Sequence, residues 1–389
     1  MSIDQRRKIL VFADWYEPGF KAGGPIRSCV NFVRYMREDY LLYVFTTDRD
    51  LGSTAPYEGI RTDVWSGAAH PNVRIYYCSP AKLTWGNIRQ QLKDLQPDHI
   101  YLNSMFSTPF TIYPLLIVQL HGLKGNIVLS PRGMLRASAL RFKPFKKQVF
   151  LKLFRWTGLY RPLSFHASDT TELQDVQLHF GRKARVSMIS NFPAAPPETL
   201  QPVEKLAGEL SMIFIGRIHP IKNLDFLLKV LRDARSRIRL TIVGSLEDKG
   251  YWEACGQLIR QLPGNIVVSY AGEIPNQDLP ALTNAHHIFA LPTMGENFGH
   301  AIFESLSLGR PVLISDQTPW RNLAAAGAGW DLPLDKPELF RQAIEEAAGF
   351  DQSAYNRWSQ STFTFVQELI AQSTLQKDYL TLFSRQPGR

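Results

Sequence analysis

Short apolar runs alternate with amphipathic stretches along almost the whole chain, and this rhythm limits the fold more than any other feature. Ile9–Ala13, Tyr40–Thr46, Val73–Tyr77, His99–Leu102, Asn126–Ser130 and Leu163–Ala167 read as strands. Pro25–Met36, Ile88–Leu95, Phe110–His121 and Phe145–Trp156 read as helices among them. Runs this short, apolar throughout and bounded by turn residues, suit strands buried on both faces, as in a parallel sheet covered by helices. The rhythm breaks once, at the proline-rich connector Ser190-Asn191-Phe192-Pro193-Ala194-Ala195-Pro196-Pro197-Glu198. It then restarts, with Leu210–Ile215, Arg239–Val243, Ile266–Ala271, His287–Leu291 and Val312–Ser315 as strands. Asn223–Asp233, Tyr251–Leu262, Asp278–Asn284 and Phe298–Leu308 are the matching helices. At 389 residues the chain exceeds one ordinary core. The expected architecture is α/β, with two tandem Rossmann-like, doubly wound domains, 1–190 and 191–365, facing a central cleft. The end, Ala354–Leu382, reads as helical, and 366–389 is expected to pack back on the N-terminal domain.

Composition narrows the class. Hydrophobic residues make up 44% and charged residues 20%, which fits an ordered globular protein. Cys29, Cys78 and Cys255 are far apart and odd in number, so neither a disulfide framework nor a metal spacing follows, and reduced thiols in the cytoplasm are expected. The N-terminus lacks the apolar segment of a signal peptide, and the longest apolar stretch, near Ile112–Leu120, is too short to span a bilayer. The net charge is +9, and its placement matters more than its size. From Arg132 to Arg161 inclusive there are nine basic residues and no acidic one, interleaved with Phe142, Phe145, Phe150, Phe154 and Trp156. Two readings stand side by side. One is an amphipathic helix with aromatics inside and lysines in water; the other is a segment, 132–161, lying on an anionic membrane face, which would make the protein peripheral on the inner side of the cytoplasmic membrane. Nucleic acid is set aside, because no recognition motif accompanies the charge.

In open α/β sheets ligands bind beyond the carboxyl ends of the strands, so the loops there carry the functional reading. Pro18-Gly19-Phe20-Lys21-Ala22-Gly23-Gly24-Pro25 follows the first strand; its glycines permit close backbone approach to a phosphate, and Pro25 suits a first helical turn. Ile215-Gly216-Arg217-Ile218-His219-Pro220-Ile221-Lys222-Asn223 follows the first strand of the second half. A forked guanidinium and a mobile ammonium there suit a diphosphate whose charge grows as it departs. Met294-Gly295-Glu296-Asn297-Phe298-Gly299-His300-Ala301-Ile302-Phe303-Glu304 places Glu296 on a strand-to-helix loop and Glu304 about two turns into the helix. Carboxylates accept from hydroxyls and bare amides favour anions, so this stretch suits a polyhydroxylated, anionic ligand.

Gly216-Arg217-x4-Lys222 and Glu296-x7-Glu304, which start about eighty residues apart, resemble the motifs of the retaining glycosyltransferases of family 4, whose fold is GT-B. The resemblance runs from the Gly-Gly loop to about Trp330, and the text around it is similar to enzymes that build bacterial surface polysaccharides, lipopolysaccharide among them. It implies that Arg217, Lys222 and Glu296 are catalytic, the two cations on the donor diphosphate and Glu296 on the donor sugar. It further implies donor contacts from Gly23, Gly24, Gly216, Asn297, Phe298 and Gly299, ribose binding by Glu304, and nucleobase binding by backbone near Glu273 and Ile274. No cofactor and no metal is implied, and Asp48-Arg49-Asp50 is read as a loop, since a metal would duplicate the two cations. Many relatives carry a histidine where this chain has Arg132, before Gly133; both are placed on the acceptor side, with Arg132 either meeting an acidic or phosphorylated acceptor or serving the structure. The implied reaction moves a sugar from a UDP- or GDP-sugar to a glycan or lipid-linked acceptor, with retention. The alternatives are a nucleotide-sugar epimerase or hydrolase on the same scaffold, and a non-catalytic glycan-binding protein.

Overall fold

The computed structural model of the protein describes residues 6–140 and 144–384. The expectations for Arg141, Phe142, Lys143 and 385–389 lie outside the described residues. The chain divides into two compact units: unit 1 takes Met1–Phe192 and resumes at Thr374, and unit 2 is Pro193–Ser373.

Unit 1 is built on an eight-stranded sheet. Its strands are β1 (Lys8–Phe12), β2 (Leu41–Thr47), β3 (Trp65–Gly67), β4 (Val73–Cys78), β5 (His99–Leu102), β6 (Asn126–Leu129), β7 (Ser164–Ala167) and β8 (Arg185–Met188). They lie in the order β3-β4-β2-β1-β5-β6-β7-β8. β3 alone among them runs antiparallel to its neighbour. β1 is central and buried from Ile9 to Phe12, and these residues alternate between two apolar layers. Ile9 and Val11 face Ile26, Phe32 and Met36, while Leu10 and Phe12 face Ile88, Leu92 and Leu115. The first layer is completed by the returning helix Leu375–Ser384, which contributes Tyr379, Leu382 and Phe383.

Unit 2 holds a six-stranded, wholly parallel sheet: β9 (Glu209–Ile215), β10 (Arg237–Val243), β11 (Ile266–Gly272), β12 (Ile288–Leu291), β13 (Val312–Ser315) and β14 (Gly329–Leu332). The order is β11-β10-β9-β12-β13-β14, so the winding reverses between β9 and β12. Phe289 pairs with Ile213 across that seam. In unit 1 the same reversal falls between β1 and β5, where Ile9 pairs with His99. Such switch points leave a gap between diverging loops at the carboxyl ends of two neighbouring strands.

Several expectations change. β3, β8, β14 and the helices Thr170–Phe180 and Pro337–Gly349 are additional to the sequence reading. The helical end is two helices, Gln352–Ala371 and Leu375–Ser384, because Thr374 begins a new turn with its hydroxyl on the Asp378 carboxylate at 2.9 Å. Residues 366–371 therefore finish a helix of unit 2, and the segment that returns to unit 1 is shorter than 366–389. The helix expected at Phe298–Leu308 is His300–Ser307, because Gly299 takes φ 78° at its N-cap. Glu304 thus lies little more than one turn into that helix, not two.

Candidate active site

The loop after β9 begins where two glycines let backbones touch. The Gly216 N–H donates to the Val243 carbonyl at 3.0 Å. Opposite, Gly244 has φ 142°, and a Cβ there would lie 2.0 Å from the Gly216 oxygen. His219 then accepts the Ile221 N–H at 3.2 Å, and Asn223 reverses the chain at φ 60°, so Lys222 closes a tight turn ahead of the helix Leu224–Arg232. The loop after β12 is laced to this turn: Thr293 Oγ1 and the Met294 N–H both donate to the Ile221 carbonyl, at 3.0 and 2.8 Å. The loop after β13 adds a third tie, with Ser315 Oγ donating to the Thr293 carbonyl and Gln317 accepting the Glu296 N–H at 3.2 Å.

These ties bring Lys222 and Glu296 together. Their ammonium and carboxylate form an ion pair, with the side chains 16% and 14% exposed. Gly216 and Arg217 lie on the same loop as Lys222, but Arg217 is paired with Glu247, on the loop after β10, at 2.5 Å. Both members of that pair are well exposed, so it holds Arg217 only loosely and leaves it able to exchange partners. Two cations thus sit on one switch-point loop, each matched by a carboxylate from a different loop. An arriving polyanion must take a cation from its resting partner.

The other expected residues divide. Phe298 is buried against His300, Phe303 and Trp320, and its carbonyl accepts the Trp320 indole N–H at 2.5 Å, so its side chain belongs to the core. Gly299 suits its place because its φ of 78° strains any residue with a Cβ. Asn297 is half-buried on the loop, and Glu304 is half-buried on a helix whose Ile302, Phe303 and Leu306 are core. Glu273 and Ile274 follow β11, at the same edge of the sheet but two strands from β9, roughly 10 Å across at usual strand spacing. Glu247 and Gly244 were missed by the sequence reading. The strand-then-glycine text Ile242-Val243-Gly244 carries the signal for the second; nothing local marks the first.

In unit 1 the switch point joins Asp14, after β1, to Ser107, after β5, whose hydroxyl donates to Asp14 Oδ1 at 2.7 Å. Burial raises the Asp14 pKa above the ordinary carboxylate value, with the Ser107 bond opposing. Gly23 takes φ 66° as the N-cap of the helix Gly24–Met36. The loop before it is pinned by Asp50, whose carboxylate accepts the Phe20 N–H at 2.9 Å and the Lys21 N–H at 3.2 Å. Asp48 instead pairs with Arg49 at 2.8 Å, so the three residues tie loops together. Arg132 takes φ 53°, donates to Asn103 Oδ1 at 2.6 Å and to the Tyr101 hydroxyl at 3.0 Å, and also reaches Asn191. Those partners are neutral, so the guanidinium charge is not cancelled by them. Gly133 donates to Glu172 at 2.5 Å, which fixes the strained turn. Behind Arg132, Tyr101 meets His166 at 2.7 Å, and burial holds that imidazole neutral, with its pKa pushed down to about 3.

Residues 209–348, which contain the loops after β9 through β13, match the family described as "Glycosyl transferases group 1". An O-antigen chain mannosyltransferase B from Escherichia coli is 33% identical over 134 residues, covering 32% of this chain and 34% of the relative. The chain thus spans about a third of the length of that curated relative. Among solved structures, sucrose-phosphate synthase from Thermosynechococcus elongatus superposes with a TM-score of 0.71 at 14% identity, over 97% of this chain and 98% of that one. Anabaena HepE, solved with UDP and glucose, gives 0.61 at 15% identity over 98% and 100%. Residues 209–348 carry the sequence pattern of the group 1 glycosyl transferases, and the chain as a whole has the two-sheet α/β fold of the GT-B glycosyltransferases.

Proposed function

We propose that this protein is a retaining hexosyltransferase that moves a sugar from a nucleoside-diphosphate donor to a glycan or lipid-linked acceptor in surface-polysaccharide synthesis. The observation that carries this reading is the convergence of Lys222, Glu296 and the Arg217 loop at the switch point of unit 2. Lys222 and Arg217 neutralise the diphosphate as the glycosidic bond breaks, Glu296 turns to a sugar hydroxyl once Lys222 leaves it, and Glu304 accepts from the ribose. Gly23, Gly24, Gly216 and the backbone at 297–299 add donor contacts, and Glu273 with Ile274 lies toward the base. Arg132, still charged among neutral partners, belongs with Gly133 to the acceptor side. The two cations do the work a metal would do, so we assign none. Same-face attack assisted by the leaving phosphate gives retention, with positioning and charge stabilisation supplying the catalysis. That HepE was solved with UDP and glucose, and that the curated relative is an O-antigen mannosyltransferase, supports a nucleotide-sugar donor and a polysaccharide product. The basic segment 132–161 would hold the protein at the inner face of the cytoplasmic membrane.

A panel of UDP- and GDP-sugars with a membrane-extract acceptor tests the reading, with the product's anomeric configuration read by NMR. Glu304→Ala and Lys222→Ala should each lower transfer about 10²–10³-fold while thermal unfolding stays unchanged. Wild-type turnover in either variant removes the site from the reaction. Consumption of donor without any acceptor would instead favour an epimerase or hydrolase.

A further inference from the structure

Arg217 and Glu247 face each other because the backbone brings them together. The Ile218 N–H donates to the Ser245 carbonyl at 2.8 Å, and the Asp248 N–H donates back to the Ile218 carbonyl at 3.2 Å. Ile218 and Leu246 form a parallel bridge beyond the ends of β9 and β10, and the Ile218 side chain is fully buried. Asp248 then accepts the Tyr251 N–H at 2.9 Å and caps the helix Lys249–Arg260. Glu247 is thereby held between two fixed residues, opposite Arg217, whose guanidinium donates to its Oε2 at 2.5 Å. The two ion pairs of the site are unequal. The Lys222 and Glu296 side chains are largely buried, whereas those of Arg217 and Glu247 are 41% and 42% exposed. Water screens the outer pair, so it opens at little cost, while the drier inner pair holds more firmly. An arriving polyanion therefore takes Arg217 first. Along the reverse path Glu247 is the carboxylate to which Arg217 returns.

We propose that Glu247 is a positioning residue for nucleotide exchange: it holds Arg217 between turnovers and takes it back from the departing nucleoside diphosphate, which speeds product release. The role rests on the reading of Arg217 as a donor cation. The chemistry of the product supplies the need. In the donor each phosphate is substituted at both ends and carries one charge. Once the sugar has left, the outer phosphate is terminal and carries about two charges at neutral pH. Two cations placed for the diphosphate thus grip the product harder than the donor. A carboxylate fixed beside one of them, exposed enough to exchange, competes for that cation and offsets the extra grip.

The test measures UDP and GDP binding to the full-length protein by calorimetry, and displacement of the bound nucleotide by stopped flow. Glu247→Gln keeps the shape and removes the charge. It is expected to tighten the preferred nucleotide about two- to fivefold and to slow its displacement by a similar factor. Product inhibition in the transfer assay should strengthen in parallel. A merely structural role predicts the opposite, because a disturbed loop binds less well. Glu247→Asp keeps the charge and should restore faster displacement. In an Arg217→Ala background the effect of Glu247→Gln should largely vanish. If it persists in full there, Glu247 only repels the anion, and the exchange role is overturned. If Arg217→Ala weakens the nucleotide while Glu247→Gln leaves affinity and displacement at wild-type values, the exchange role alone falls and the transferase reading stands. If Arg217→Ala leaves the nucleotide's affinity unchanged, the reading of Arg217 as a donor cation falls, and the role of Glu247 with it.

Discussion

Lys222 and Glu296 neutralise each other at rest, and this decides how a donor must be read. On the proposed reading, a diphosphate would offer Lys222 more charge than one carboxylate does, would win the ammonium, and would leave Glu296 unpaired and able to accept from a hydroxyl. Phosphate arrival and sugar capture would then be linked through one broken ion pair. Lys222→Ala is expected to lower kcat about 10²–10³-fold, the usual effect of removing one stabiliser of transition-state charge. Glu296→Gln should behave differently: it frees Lys222, so UDP alone binds as well as before or a few-fold tighter, while the added affinity due to the sugar is lost. Calorimetry with UDP and with the sugar nucleotide separates the two, and an equal loss for both ligands would sink the linkage. At Gly244, a methyl 2.0 Å from the Gly216 oxygen at φ 142° has nowhere to go, so Gly244→Ala should cost about 3 kcal/mol in urea unfolding and displace the Arg217 loop. Lys222 and Glu296 could be found from the sequence because each follows an apolar strand at a short, motif-like spacing. Glu247 could not, because it reaches Arg217 across thirty residues and the pairing exists only once β10 lies beside β9.

Strands that fill a core announce themselves, and strands that trim a sheet do not. β1, β9 and β12 are buried runs, legible from their apolar text alone. β3 and β14 are edge strands carrying Trp-Ser-Gly and Gly-Trp-Asp-Leu, and β8 reads Arg-Val-Ser-Met with no fully buried residue, so hydrophobic patterning is silent on all three. Helix ends fail for another reason: Gly299 and Thr374 are set by one dihedral and one side-chain bond, which periodicity does not encode. β5 also carries a buried histidine with a consequence for the whole sheet. The His99 ring lies between Tyr40 and Phe383, and neither of its nitrogens meets a hydrogen-bonding partner. Burial pushes its pKa down to about 4 from an ordinary value of about 6.5. Between those values the unfolded chain binds the proton and the folded one does not, so stability present above pH 6.5 is lost as pH falls toward about 4. His99→Phe should flatten that slope by about one proton, measured as urea midpoints across the window. An unchanged slope would assign the acid sensitivity to other groups, such as His166 or His287.

At the scale of the molecule, the chain leaves unit 1 at Phe192 and comes back at Thr374, so the last helix completes a core begun by the first strand. Nothing in Leu375–Ser384 taken alone says which sheet it will cover; its apolar face would fit either. The outcome depends on a match of shapes. Phe383 packs tilted on Phe32 and edge-on against Tyr40, His99 and Tyr101, while Tyr379 lies flat on Phe192 at 4.3 Å and its hydroxyl reaches Ser190 at 3.2 Å. The residues that end the first passage through unit 1 are thus clamped by those that begin the second. Phe383→Ala removes a fully buried ring from this clamp and should cost about 3–5 kcal/mol, all of it in unit 1. For a unit of this size that lowers a melting transition by about 10 °C. On the proposed reading UDP would label the other unit, because a ligand raises only the transition of the unit that binds it. Calorimetry of the variant with and without UDP should therefore show a low transition that ignores the nucleotide and a high one that responds to it. A single transition that moves as a whole would mean that the two cores unfold as one, and that the returning helix stabilises the entire chain.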